Sequence, residues 1–160
     1  MGQDTPPEVI RNHLSLGADY VLRFVALFSP LFDGDVVMTL VFVAAVQAST
    51  QHVRQAGRGA MIAGAVFADD LRRPTSVSAL ARSLAMPVET TRRYVIKLAA
   101  RGFLQRTRLG GVLVTSDVLA RPQLQAMIRV NSANLEQVAA AMRRLQSLRQ
   151  GEPAAAASAR

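Results

Sequence analysis

The chain has 160 residues, a length that suits one compact domain or two small linked units and excludes a large multidomain enzyme. Half of it is apolar, 19% is charged and 5% is aromatic with no Trp, so it folds rather than staying disordered, and a mainly aliphatic core suits packed helices. The lack of Cys removes disulfides, thiolate zinc sites, iron–sulfur clusters and Cys nucleophiles, and the net charge of +8 is unevenly spread.

The opening residues Gly2, Asp4, Pro6, Pro7 and Glu8 lack the basic stretch and apolar run of a cleaved signal peptide, and a cytoplasmic location is expected. Thr5 before Pro6 and Pro7 reads as a helix start, because the missing proline N–H has no intrahelical partner in the first turn. Val9, Ile10, Leu14, Val21, Val25 and Phe28 recur at helical spacing with an interruption around Gly17, which leaves one helix or two. Pro30 and Asp33-Gly34-Asp35 end that segment, and an Asp there can cap a helix from about Val36 to Gln55. Its start, Val36 to Val46, has Thr39 as its one polar residue and falls short of the roughly 18 residues that span a bilayer, so it reads as a buried core helix. Gly57 and Gly59 break the pattern, and Ala60 to Ala68 forms a short helix or ordered loop before Asp69 and Asp70.

The net charge is concentrated in one window. Between Arg72 and Arg108 stand nine basic residues (Arg72, Arg73, Arg82, Arg92, Arg93, Lys97, Arg101, Arg106 and Arg108) against Glu89 alone, while the rest of the chain balances. Such a block is the electrostatic footprint of a polyanion-binding surface. A general preference for Arg, which supplies 18 of the 19 basic residues, does not by itself exclude acids from one window.

Within the window, Ser76 is placed to cap a short helix with Val77, Leu80, Ala81 and Leu84 on its apolar side. Pro87 suits the first turn of a second helix, with Glu89 near its positive N-terminus and Thr91, Tyr94, Val95 and Leu98 on its inner face. Gly102 breaks that helix. Two short helices with about a three-residue turn have the geometry of a helix-turn-helix. Phe103 to Arg108 and Val112 to Thr115 then flank Leu109-Gly110-Gly111, a hairpin signal because Gly adopts the positive φ of tight turns; Arg106 and Arg108, two apart in a strand, would share one side.

Val77-Ser78-Ala79-Leu80-Ala81, Met86-Pro87-Val88-Glu89-Thr90-Thr91-Arg92-Arg93, and Leu98 with Arg101-Gly102-Phe103-Leu104 together resemble the winged helix-turn-helix of bacterial transcriptional regulators, over about residues 73–116. The resemblance implies a recognition helix from Val88 to Arg101 in a DNA major groove, with the wing on backbone or minor groove. The residues expected at DNA are Ser76, Glu89, Thr90, Arg92, Arg93, Lys97, Arg106 and Arg108. The sequence departs from many such motifs in having Ala85 in the turn where they have Gly, at a cost of about 1 kcal/mol if that residue is left-handed.

Ser116 to Ala120 and Pro122 lead into a long helical pattern to about Arg149. Leu124, Ile128, Asn131, Leu135, Val138, Met142 and Leu145 form a heptad seam in it. The seam either packs on the chain's own N-terminal helices or joins a homodimer, with Asn131 setting register. The tail from Gly151 is expected to fray.

No catalytic pattern stands out. His13 and His52 have no second metal ligand at useful spacing, Asp69-Asp70 and Asp33-Gly34-Asp35 read as caps or turns, and Gly57-Arg58-Gly59 is no phosphate loop. The expected molecule is mainly α: an N-terminal helical region over 1–72, a winged helix-turn-helix with a small β-hairpin wing over 73–116, a C-terminal helix over 117–150 and a tail over 151–160. Its expected activity is sequence-specific duplex DNA binding as a homodimeric regulator, without catalysis, cofactor, metal or membrane. The alternatives are a non-catalytic interaction module whose basic face meets an acidic protein, and membrane-surface binding through the N-terminal helices.

Overall fold

The computed structural model describes residues 7–55 and 69–151; the expected stretch Ala60–Ala68, Gly57, Gly59 and the end of the tail lie outside the described residues. The protein is mainly helical. In chain order come α1 (Pro7–Phe28), a 3₁₀ turn (Ser29–Phe32), α2 (Val36–Gln55), a second 3₁₀ turn (Asp69–Leu71), α3 (Val77–Ser83), α4 (Val88–Ala100), β1 (Gln105–Arg106), β2 (Val112–Leu113), α5 (Ser116–Leu119) and α6 (Pro122–Gly151). Gly17 does not divide the first helix, so the open choice between one helix and two resolves to one.

The chain forms two compact units that are discontinuous in sequence. One joins α1 up to Leu27 with α6 from Ile128, and the other runs from Phe28 to Met127. Residues 28–55 therefore belong with the helix-turn-helix segment rather than with the N-terminal helix.

In the larger unit, Asp35 starts α2 as its sequence suggests: its Oδ1 accepts the Met38 N–H at 2.9 Å. Met38, Thr39, Val41, Phe42 and Ala45 are buried, which makes α2 the core helix on which both α3 and α4 pack. The centre is an aromatic cluster of Phe32, Phe42 and Phe103, with ring centroids 4.9–5.6 Å apart in tilted and edge-on pairs. Leu80, Val95, Leu98, Val112 and Val114 close around the same unit.

Buried hydroxyls are satisfied within their own helices. Thr39 Oγ1 donates to the Asp35 carbonyl, Ser49 Oγ to Val46 and Thr91 Oγ1 to Pro87, at 2.8–3.1 Å.

In the smaller unit, α1 and α6 run antiparallel. Tyr20 Oη donates to Asn131 Oδ1 at 3.2 Å, Arg23 Nη1 donates to Gln137 Oε1 at 3.0 Å, and Leu16 lies beside Val138 and Ala141. The seam polar residue Asn131 is thus engaged within its own chain. None of the described side chains of this unit is fully buried. By length and composition alone, Pro7–Phe32 is also a stretch that could cross a bilayer.

Candidate nucleic-acid interface

The turn between α3 and α4 is built by local bonding. Ser76 Oγ accepts the Ala79 N–H at 3.1 Å and caps α3, so this expected DNA contact has a structural task as well. At the other end, the Met86 N–H donates to the Ala81 carbonyl at 2.9 Å and the Ala85 N–H to Arg82 at 3.3 Å. This paired closure requires a left-handed residue, and Ala85 supplies it at φ 51°. Pro87 stands just ahead of α4 rather than in its first turn, and its carbonyl accepts both the N–H and the hydroxyl of Thr91, at 3.0 and 3.1 Å.

Helix α4 divides its faces as its periodicity predicts. Thr91, Val95 and Leu98 are buried and Tyr94 is half-buried, while Glu89, Arg92, Arg93, Ile96 and Lys97 are exposed. Arg92 Nε donates to Glu89 Oε1 at 3.0 Å. Lys97 Nζ sits 5.2 Å from the centre of the Tyr94 ring. Arg93 makes no ion pair with a described residue, and Thr90 is half-buried at the helix start.

Gly102 ends α4 at φ 69°, and the Phe103 N–H donates back to the Leu98 carbonyl at 2.9 Å, which turns Phe103 into the aromatic cluster. The strands that follow are shorter than expected. Leu104 and Val114 are buried, so only Gln105–Arg106 and Val112–Leu113 pair, antiparallel, with Arg106 opposite Val112.

The turn already begins at Thr107, whose N–H donates to the Gly111 carbonyl at 2.8 Å and whose Oγ1 accepts the Gly111 N–H at 3.0 Å. Arg108 therefore lies in the turn and does not share a strand face with Arg106, contrary to expectation. Both remain exposed, and Leu109 at the tip is fully so.

The two glycines of this turn serve different needs. Gly110 takes the positive φ, 80°, but Gly111 does not; a Cβ on Gly111 would lie 2.9 Å from Pro74 Cβ. Gly111 permits the close approach of the strap before α3, where Thr75 exchanges backbone hydrogen bonds with Val112 at 2.9 and 2.8 Å.

Two of the nine cations in the basic window are structural, which corrects the assumption that the whole window forms one exposed footprint. Arg72 is buried: Nη1 donates to the Val114 carbonyl at 3.3 Å, and Nε lies 3.4 Å from Asp69 Oδ1. Burial lowers its pKa from the ordinary arginine value, against the pull of the Asp69 carboxylate. The same Asp69 oxygen accepts the Ser116 N–H at 2.6 Å, so Asp69 ties the strap to the start of α5 rather than pairing with Arg92 or Arg93. Arg101 is exposed but paired, its Nη1 reaching the Asp33 carboxylate at 2.9 Å. Arg73, Arg82, Arg92, Arg93, Lys97, Arg106 and Arg108 remain exposed.

Ile96 was not among the expected site residues, yet it is half exposed amid the charges of the outer face of α4. The signal was present in its spacing, since position 96 falls opposite Thr91, Val95 and Leu98 on a helical wheel.

His13 is exposed on α1, and the His52 side chain lies outside the described residues. Among the described residues, no three or more His, Cys, Asp or Glu are grouped to hold a metal ion. Comparison of the chain with protein-family models, with curated proteins and with solved structures gives no match.

Proposed function

We propose that this protein is a DNA-binding transcriptional regulator of the winged helix-turn-helix type, acting in the cytoplasm as a homodimer and without catalysis. The observation that carries the reading is the outer face of α4: three cations and Ile96 stand exposed on a 13-residue helix whose inner face is anchored in the core. A helix so anchored can enter a major groove without unfolding anything else.

Arg93 is the residue best disposed for the bidentate donor pair that guanine O6 and N7 accept, since no described acid competes for it. Lys97 supplies a point charge to a phosphate, and Arg92 must exchange Glu89 for DNA. Ile96 suits the methyl group of a thymine. Arg106 on β1 and Arg108 in the following turn add phosphate contacts beside the groove.

Selection from random duplexes, followed by titration at several salt concentrations, tests the reading. A dimer whose protomers each meet three to five phosphates gives a log–log slope of about −5 to −9. Arg92→Ala with Arg93→Ala should abolish retention while leaving the fold intact. A flat slope, unchanged binding by that variant, or a stoichiometric acidic protein copurifying in place of nucleic acid overturns the reading.

A further inference from the structure

Glu89 is out of place on the surface to which the proposed function assigns DNA. It is the sole acidic residue between Arg72 and Arg108, and it stands in the first turn of α4 with a side chain 78% exposed. Arg92, Arg93 and Lys97 of the same helix are exposed as well. A surface that only collected phosphates would gain by losing this carboxylate, because an acid subtracts from the field that the cations set up.

The carboxylate is held by one bond. Its Oε1 accepts from Arg92 Nε at 3.0 Å, and among the described residues nothing else donates to it. The exposed pair and the acid's place at a helix N-terminus stabilise α4 only modestly, by less than an unpaired carboxylate would cost against DNA.

Binding DNA removes that one bond. When Arg92 turns to the duplex, Glu89 is left as an unpaired charge in a closing interface, which is costly unless another donor reaches it. A carboxylate accepts hydrogen bonds and donates none, and phosphates offer it no donor. The major groove does, in the amino groups of adenine and cytosine. Adenine N6 stands next to N7, whose lone pair repels an acceptor, whereas cytosine N4 has no acceptor beside it on the groove edge; cytosine is therefore the match.

Spacing places the contact. The N-terminal residues of a recognition helix are the ones that reach base edges. Glu89 and Arg93 are four apart and share one side of α4, separated by about 6 Å along its axis. That is less than two steps of a duplex that rises about 3.4 Å per base pair. A guanine taken by Arg93 thus fixes the cytosine within two base pairs of it.

We propose that Glu89 is a base-reading residue: its carboxylate accepts a hydrogen bond from cytosine N4 in the major groove and makes tight binding conditional on that base. The inference rests on the DNA-binding reading and adds the chemistry of one position in the site.

Selection from random duplexes with the full chain, run in parallel for wild type, Glu89→Gln, Glu89→Ala and Arg92→Ala, tests it. Wild type should require a cytosine within two base pairs of a guanine, and replacing that cytosine should weaken binding about tenfold or more. Glu89→Ala should flatten the preference to within about twofold while binding mixed-sequence duplex more tightly than wild type. Glu89→Gln should move the preference to adenine, since a side-chain amide pairs with N6 and N7. Arg92→Ala should weaken all duplexes alike and keep the cytosine. Because Glu89 is exposed and Gln has its shape, circular dichroism of Glu89→Gln should match wild type, which keeps the switch readable even if Glu89→Ala frays the helix start.

A defined wild-type site that lacks the cytosine, a Glu89→Gln site identical to the wild-type one, or a Glu89→Ala variant that lowers affinity for all duplexes by one factor overturns the inference and leaves the DNA reading standing. Loss of the cytosine preference in Arg92→Ala makes Glu89 act through Arg92 and overturns direct reading. Failure of wild type to enrich any duplex rejects the DNA reading, and this inference with it.

Discussion

Arg101 Nη1 donates to Asp33 Oδ2 at 2.9 Å, joining the end of α4 to the left-handed turn that precedes α2. Its guanidinium also lies 5.8 Å from the Phe32 ring centre, and Nη2 donates to the Leu31 carbonyl at 3.4 Å. This cation is a clasp on the core. Because the Asp33 carboxylate is largely in water, Arg101→Ala should lower the unfolding free energy by only about 1 kcal/mol. Urea midpoints should register that loss, while affinity for duplex DNA at fixed salt stays within twofold of wild type.

Arg72 should behave differently. Its side chain is enclosed, and its removal takes a donor from the Val114 carbonyl and the paired cation from Asp69, which keeps only the Ser116 N–H. Arg72→Ala is expected to cost about 2–3 kcal/mol, toward the low end for a broken buried pair because Asp69 is half exposed. Arg72→Lys should recover only part of this, since one ammonium does not reproduce a planar fork. Equal stability of Arg72→Ala and wild type in urea would remove Arg72 from the structural set.

Ala85→Gly should raise stability by about 0.5–1 kcal/mol, because glycine relieves the left-handed strain at the end of α3 by more than it adds in unfolded-chain entropy. Thermal unfolding measures this directly. The rest of the turn bonds through backbone and Ser76, so DNA affinity should not change.

Gly111→Ala tests the strap. The new methyl carbon must displace Pro74, so a loss of about 1–3 kcal/mol is expected together with faster amide exchange at Thr75 and Val112. Gly110→Ala strains the turn backbone alone and should leave the Thr75–Val112 exchange rates nearly unchanged.

Much of the fold was legible because its signals are local. Asp35, Ser76 and Gly102 act at helix ends through side-chain or backbone geometry that depends on a few neighbouring residues. The inner face of α4 follows from 3.6-residue periodicity. The hairpin was legible in kind, but its extent was not, since Phe103, Leu104 and Val114 leave strand pairing to fill a core built from distant segments.

By itself, then, the chain marked the long helical segments and showed that one window carries the excess cations, for these depend on spacing and composition, while the single helix through Gly17, the short α5 and the place of Pro87 ahead of α4 were not settled by it. The fate of each cation was decided by tertiary structure: Arg72 and Arg101 are claimed by Asp69 and Asp33, and Arg93 is left outward. The same holds for Gly111, whose need comes from Pro74 some 37 positions earlier, and for α1, whose Leu16 and Tyr20 face α6. Charge and periodicity are properties of a string, but which groups are desolvated depends on what folds against them.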